Sequence, residues 1–237
     1  MTRLSVNINK IALLRNSRGA NIPNVVQFAQ DCERCGAQGI TVHPRQDERH
    51  ITRKDVYALK EVVTTEFNIE GYPSPDFLKM VNEVKPLQCT LVPDAPDQLT
   101  SDHGWDTIKH QSFLQEVIAE LHSNKIRVSL FIDPIHEMLE GAKKSGADRI
   151  EFYTGPYAER FLADKKNAIK DFAEAAKFCN EINLGINAGH DLNLDNLKYF
   201  KQNIPELLEV SIGHALVRDC LYVGLENAIQ LYLRELE

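Results

Sequence analysis

Ile40-Thr41-Val42-His43-Pro44-Arg45-Gln46-Asp47-Glu48-Arg49-His50 begins as a buried strand and ends as a dense polar cluster. A short β-branched run that breaks straight into histidine, arginine and carboxylates has the pattern of a parallel strand opening into a βα loop, where α/β barrels carry their chemistry. The fold therefore turns on whether other strands end in the same way.

Toward the N-terminus, apolar alternation from Leu4 to Ile8 marks a first strand, which runs through Asn7, Asn9 and Lys10 into a polar loop holding Arg15, Arg18 and Gly19. Pro23-Asn24 opens a helix with Val25, Val26, Phe28, Ala29 and Cys32 on its apolar face. Toward the C-terminus, a helix starting at Thr52 places Val56, Leu59, Val62 and Val63 at three- and four-residue spacing. A third strand follows over 67–70. Ser74-Pro75-Asp76 caps the next helix, and strand four, over 89–92, is halted by Pro93.

The segment 93–106 carries Pro, Asp, Ser, Thr, Gly and the only tryptophan, Trp105; it is too long and polar for an idle connection and reads as a mobile lid. Beyond it, Phe113, Leu114, Val117, Ile118 and Leu121 share one helical face, and 127–132 is an apolar strand stopped by Asp133-Pro134. Strand six spans 149–153, after which Thr154-Gly155-Pro156-Tyr157 breaks the pattern, and a helix covers 163 to about 180. Strand seven, 184–188, ends in Gly189-His190-Asp191. Strand eight, 208–212, ends in Gly213-His214-Ala215 before one closing helix.

Eight uninterrupted strand-helix units in 237 residues imply a parallel sheet with helical crossovers, closed as a single (β/α)8 TIM barrel over residues 1–237 with its active site at the C-terminal ends of the strands. No G-x-G-x-x-G follows strand one, so a dinucleotide fold loses its best support. A net charge of −7 gives no field that would draw nucleic acid or an anionic membrane, so attraction for an anionic ligand must be local. No apolar stretch approaches the ~20 residues of a membrane span, and no signal core precedes a small-residue cleavage site; a soluble cytoplasmic protein is the expectation. The five scattered cysteines suit reduced thiols. Cys32-x-x-Cys35 lies in a helix with no second pair nearby to complete a zinc site, and reads as packing.

A closed barrel brings Asn7, Asn9, Lys10, His43, Arg45, His50, Glu70, Glu151, His190, Gly213 and His214 to one rim, whereas His110, His122 and His136 fall on helices. One histidine at a strand end is more often a satisfied polar residue than a catalyst, but several histidines and carboxylates converging at one rim cost stability unless they serve a purpose. Function ranks first for His43, Glu70 and His190. For Glu151 a buried ion pair with Arg149 or a lysine is nearly equal in weight. Gly189-His190 and Gly213-His214 follow strands seven and eight, where barrels often bind phosphate at a helix N-terminus, and Arg18 adds a positive charge. Arg45, Arg49 and His50 form a second basic set, with a salt-bridged loop to Asp47 and Glu48 as the bland reading, above all for Arg49.

The chain resembles the pyridoxine 5′-phosphate synthase family along essentially its whole length. The resemblance rests on Val6-Asn7-Ile8, the run from Leu14 to Gly19, Gly39-Ile40-Thr41-Val42-His43 with Arg45 and Arg49-His50-Ile51, and Asn68-Ile69-Glu70. Leu91-Val92-Pro93, the run from Ser129 to Asp133, Ile150-Glu151 with Thr154-Gly155, Asn187-Ala188-Gly189-His190 and Ile212-Gly213-His214-Ala215 complete it in the same order. It implies condensation of 1-deoxy-D-xylulose 5-phosphate with 3-amino-2-oxopropyl phosphate to pyridoxine 5′-phosphate, phosphate and water, without a metal or organic cofactor. It further implies His43 as general base, Glu70 as a second acid/base group, His190 as proton donor and Glu151 as a stabiliser of transition-state charge. Asn9, Lys10, Arg45, His50 and Thr100 would hold the deoxyxylulose phosphate; Asn7, Arg18, Asp191, Gly213 and His214 would hold the aminoketone phosphate. Partners would be small phosphorylated substrates and further copies of the chain in an octamer.

Three departures from the family pattern bear on substrate affinity more than on reaction class. Asn9-Lys10 stands where Asp-His is usual, Asp191 replaces a glycine, and Pro44 precedes Arg45. A carboxylate beside a phosphate is unfavourable unless it points away or Lys10 neutralises it. Two other readings compete. One is a Schiff-base lyase in which Lys10, desolvated at a strand end, attacks a ketose phosphate. The other is a barrel that keeps its phosphate sites without turnover.

Overall fold

The computed structural model describes residues 1–94 and 101–237. Eight parallel strands close in sequence order into a barrel: β1 (Arg3–Asn7), β2 (Gly39–Val42), β3 (Glu66–Gly71), β4 (Gln88–Leu91), β5 (Arg127–Ile132), β6 (Arg149–Tyr153), β7 (Gly185–Gly189) and β8 (Leu207–Ile212). β8 pairs back onto β1, with Val6 opposite Ile212. The sheet therefore has no free edge.

Along each strand the side chains alternate, and the two faces differ in chemistry. Leu4, Val6, Ile40, Val42, Ile69, Leu91, Leu130, Ile150, Phe152 and Ile212 belong to one continuous apolar core with the surrounding helices. The inward face is polar. Ser5 and Thr41 hydroxyls meet at 2.7 Å, Thr90 donates to Asn68 at 3.1 Å, and Gln88 Oε1 accepts from Arg127 Nε at 3.0 Å. Burying so many polar groups is tolerable only because most bond one another.

Local chemistry explains where the helices begin. Asn24 caps α2 (Val25–Arg34) by accepting from Gln27 N. Thr52 and Asp55 form a reciprocal capping box on α3 (Arg53–Lys60), and Ser74 caps α4 (Pro75–Val84), whose proline occupies the first turn. The remaining helices are α5 (Gln111–Ser123), α6 (His136–Lys144), α7 (Gly155–Phe161), α8 (Lys165–Glu181), α9 (Leu197–Asn203), α10 (His214–Val223) and α11 (Leu225–Glu235).

Four sequence expectations are corrected. The polar loop after strand one is a helix, α1 (Asn9–Asn16), because Arg15, which reads as a loop residue, is buried on Asp55 with Nη2 to Oδ2 at 2.8 Å. Val62 and Val63 lie beyond the end of α3. The break at Thr154 leads at once into α7, and Asp164 then caps a separate α8 through the amides of Lys166 and Asn167. The closing helix is two helices parted by Gly224, whose φ of +79° favours glycine. Cys32 is buried on α2 and Cys35 ends that helix.

Candidate active site

The C-terminal ends of β1, β2, β3, β6, β7 and β8 bring the rim residues together, and Asn9 stitches the first two. Its backbone N–H donates to Asn7 Oδ1 at 3.1 Å, and its own Oδ1 accepts from the His43 N–H at 2.9 Å. Asn7 Nδ2 reaches Glu70 Oε2 at 3.5 Å, and His43 Nδ1 lies 4.0 Å from the same oxygen. An imidazole and a carboxyl thus face each other, too far apart for a direct hydrogen bond but near enough for one ligand to touch both.

Their environment sets their charge. Burial pulls the proton affinity of His43 well below its ordinary value, and Arg45, His50, Arg49 and His190 push in the same direction. His43 is therefore neutral near pH 7, the state of a base. Burial raises Glu70 to about 8, helped by Asp94 and Glu209 and opposed by Arg45, so this carboxyl holds its proton at neutral pH. Glu151 is raised well above the carboxylate range by burial and then by Glu70. Its Oε2 has no hydrogen-bond partner among the described residues. Among the described residues Glu151 forms no ion pair with Arg149 or with a lysine; Arg149 Nη1 lies 3.6 Å from Glu66 Oε1, at the opposite end of the barrel. Gly189 makes room for Glu151, since a Cβ there would stand 2.5 Å from Glu151 Oε1.

His190 has a φ of +87°, a left-handed conformation that costs a non-glycine residue about 1–3 kcal/mol and recurs at functional sites. Asp191 Oδ2 lies 2.6 Å from its Nδ1, and the Tyr153 ring meets it edge-on at 5.5 Å. Thr154 Oγ1 donates to the Gly189 carbonyl at 2.6 Å and accepts from the Asp191 N–H at 3.4 Å, which holds this turn in place. The Asp191 carboxylate is thus turned onto the imidazole.

On the basic side of the rim, Arg45 pairs with Asp94 at 2.6 Å and Arg49 with Asp47 at 2.7 Å, so the salt-bridged loop accounts for Arg49. His50 Nδ1 accepts the Ile51 N–H at 2.9 Å, which leaves Nε2 as the protonated nitrogen of a neutral ring. Burial and then Arg45 lower His50 to about 4. Gly213 precedes α10 where β8 approaches β1 so closely that a Cβ would meet Asn7 Cβ and O at 3.1 Å. His214 is exposed at the first position of α10.

Not every expected residue joins the cluster. Arg18 is exposed in the turn after α1, and no hydrogen bond or ion pair holds its side chain among the described residues. Lys10 is exposed on the first turn of α1 rather than buried at a strand end. Thr100 lies outside the described residues. The described part of the segment after β4 is anchored, with Trp105 buried, its Nε1–H donating to Leu91 O at 3.0 Å and its ring stacked on Tyr72 at 6.0 Å. Sequence reasoning missed Asp94, which stands next to the strand-stopping Pro93 and meets Arg45 across 49 positions.

A closed barrel whose C-terminal rim sets a neutral imidazole against a protonated carboxyl is a (β/α)8 enzyme working by proton transfer. The chain belongs to the family described as pyridoxal phosphate biosynthesis protein PdxJ, which it matches over residues 4–237. It is 62% identical over 237 residues to the pyridoxine 5′-phosphate synthase of Cytophaga hutchinsonii and 58% identical over 237 residues to that of Flavobacterium johnsoniae, in each case covering 100% of both chains. To that of Porphyromonas gingivalis it is 55% identical, over 100% of this chain and 99% of the relative. Among solved structures, tryptophan synthase from M. tuberculosis superposes with a TM-score of 0.66 at 11% identity, over 100% of this chain and 94% of the other. Phosphoribosylanthranilate isomerase from Thermotoga maritima gives 0.60 at 11%, over 100% and 98%. These two share the fold alone.

Proposed function

We propose that this enzyme joins 1-deoxy-D-xylulose 5-phosphate to 3-amino-2-oxopropyl phosphate, releasing phosphate and water and forming pyridoxine 5′-phosphate. The observation that carries the residue assignment is the His43–Glu70 pair, 4.0 Å apart and biased to opposite tasks. Condensing an amine with a ketone, losing water and closing the ring are successive proton transfers, which need groups of different proton affinity facing one ligand. Neutral His43 takes the first proton. Glu70, protonated at rest, gives one and then serves as base when it is to be restored. His190, oriented by Asp191, protonates the leaving oxygen. Glu151, buried and short of a partner at Oε2, stabilises charge in the transition state by donating its held proton in a hydrogen bond.

Asn9, Lys10, Arg45, His50 and Thr100 hold the deoxyxylulose phosphate in this reading, His50 through its Nε2–H. Asn7, Arg18, Asp191, Gly213 and His214 hold the aminoketone phosphate, with Asp191 acting by way of His190. The whole chain forms one barrel domain that works in the cytoplasm, a place in keeping with five free cysteines. No described helix is long and apolar enough to cross a membrane. Self-association is supported by the apolar surface of α10, where Leu221 is 77% and Tyr222 85% exposed.

The test mixes purified protein with both substrates and a chelator. Pyridoxine 5′-phosphate and inorganic phosphate should form in equal amounts. No product from folded protein overturns the assignment.

A further inference from the structure

Asp94 is a buried carboxylate that the reaction scheme leaves unused. It sits just after β4 with its side chain 3% exposed, and its Oδ2 binds Arg45 Nη2 at 2.6 Å. Ser101 Oγ donates to the same oxygen at 2.7 Å, while Asp94 Oδ1 has no hydrogen-bond partner among the described residues. Arg45 is nearly as buried, with its side chain 8% exposed. His43, Arg45, Tyr72, Ser74 and Asp94 help to line a cavity of about 30 Å³, room for one water. The pair thus borders the His43–Glu70 dyad in a place from which bulk water is largely excluded.

Two consequences follow from that placement. An incoming phosphate meets an Arg45 already neutralised by a carboxylate, so it gains less than it would from an unpaired guanidinium. The charge that reaches Glu70 from this side is also nearly balanced. Glu70 faces His43 from the end of β2, Arg45 from the loop beyond it, Asp94 from after β4, Glu151 from β6 and Glu209 from β8, with Cys89 near it on β4. Arg45 is the only fixed cation among these. Without Asp94, its field would favour ionised Glu70.

Resting on the proposed reaction, we propose that Asp94 is a positioning residue, a resident counter-ion that tempers the grip of Arg45 on substrate phosphate and keeps Glu70 in its proton-bearing form. A merely structural ion pair would loosen the site when broken, raising KM. A resident counter-ion gives the opposite sign.

Asp94→Asn is expected to lower KM for 1-deoxy-D-xylulose 5-phosphate by about fivefold. It should also move the alkaline limb of kcat, which reports loss of the Glu70 proton, down by about one pH unit. Asp94→Glu, which keeps the charge, should return the limb toward its original place. If Asp94→Asn does not fold, Asp94→Ser, which also removes the charge, should give both changes in the same direction. Calorimetry with inorganic phosphate forms a separate arm, and there Asp94→Asn should bind about fivefold more tightly than the parent. A parent protein that makes no product contradicts the reaction and leaves this binding arm to decide the role of Asp94. A higher KM with an unmoved limb, or weaker phosphate binding by the variant, overturns the proposal.

Discussion

The two ends of the barrel bury similar residues and treat them in opposite ways. At the N-terminal end Glu66, its side chain 1% exposed, is held by Arg3 at 3.0 Å, by Arg127 and by Arg149 at 3.6 Å, with Gln88 bridging the arginines. At the C-terminal end Glu70 and Glu151 sit on the same inward faces of the same two strands, β3 and β6, one pleat period or two further along. Neither forms an ion pair with an arginine or lysine among the described residues; Glu70 has only an amide at 3.5 Å and an imidazole at 4.0 Å. A buried carboxyl ringed by cations fastens strands together. A buried carboxyl without them keeps its proton and has one to give. Glu209 lies between the two regimes: fully buried beside Glu66, it is raised to about 8 by burial and then by that neighbouring carboxyl.

The contrast is broken most severely from the C-terminal side. Glu70→Gln and His190→Ala should each lower pyridoxine 5′-phosphate formation at least about a thousandfold while far-ultraviolet circular dichroism stays unchanged, since each removes a proton-transfer group. Unchanged turnover in either purified variant contradicts the role given to that residue.

At the N-terminal end the expected damage is to stability instead. Glu66→Gln leaves three arginines without their shared carboxylate and should cost about 3–5 kcal/mol, read from denaturant unfolding, while turnover per folded molecule holds. A variant that is equally stable but inactive would reverse the assignment of the two ends.

A smaller effect comes from pH. Glu70 and Glu209, raised from 4.5 to about 8, bind protons more tightly folded than unfolded, so their contribution is full below pH 4.5 and is lost as pH rises through 8. His50, lowered from 6.5 to about 4, acts in the other sense, adding stability as pH rises from 4 to 6.5. Only the carboxyl effect remains above pH 6.5. Each raised carboxyl should then contribute a loss of about 2 kcal/mol between pH 6.5 and 8, seen in calorimetry as a fall in Tm of several degrees. A Tm that rises over this interval means that these carboxyls are ionised in the folded protein.

Smallest of all is the change expected at Lys10. The Schiff-base reading needs a lysine desolvated at a strand end, and Lys10 is exposed on a helix. Borohydride added with 1-deoxy-D-xylulose 5-phosphate should leave the mass of the chain unaltered. A reduced adduct on Lys10 would restore the lyase.

How much of this was readable in advance differs between the two ends as well. β5 and β6 were legible to the residue, because each is a run of alternating side chains bounded by its own breakers. His43, Glu70, Glu151 and His190 were legible because position at a strand end is a local fact that barrel closure converts into proximity. The Arg15–Asp55, Glu66–Arg127 and Arg45–Asp94 pairs were not, since each joins residues between 40 and 61 positions apart and leaves no periodic trace. The orientation of Asp191 was hidden for a different reason. Its carboxylate could face phosphate or imidazole until the left-handed turn at His190 set it on Nδ1.

The difference between the ends rests on the proton of one residue. Carbon-13 carboxyl labelling of the glutamates, with the Glu70 resonance assigned by its absence in Glu70→Gln, allows that proton to be followed by NMR across pH. A Glu70 midpoint near 8 is the expected result. A midpoint at the ordinary carboxylate value of 4.5 would mean that Glu70 is charged at rest, and the acid assigned to the C-terminal end would not exist.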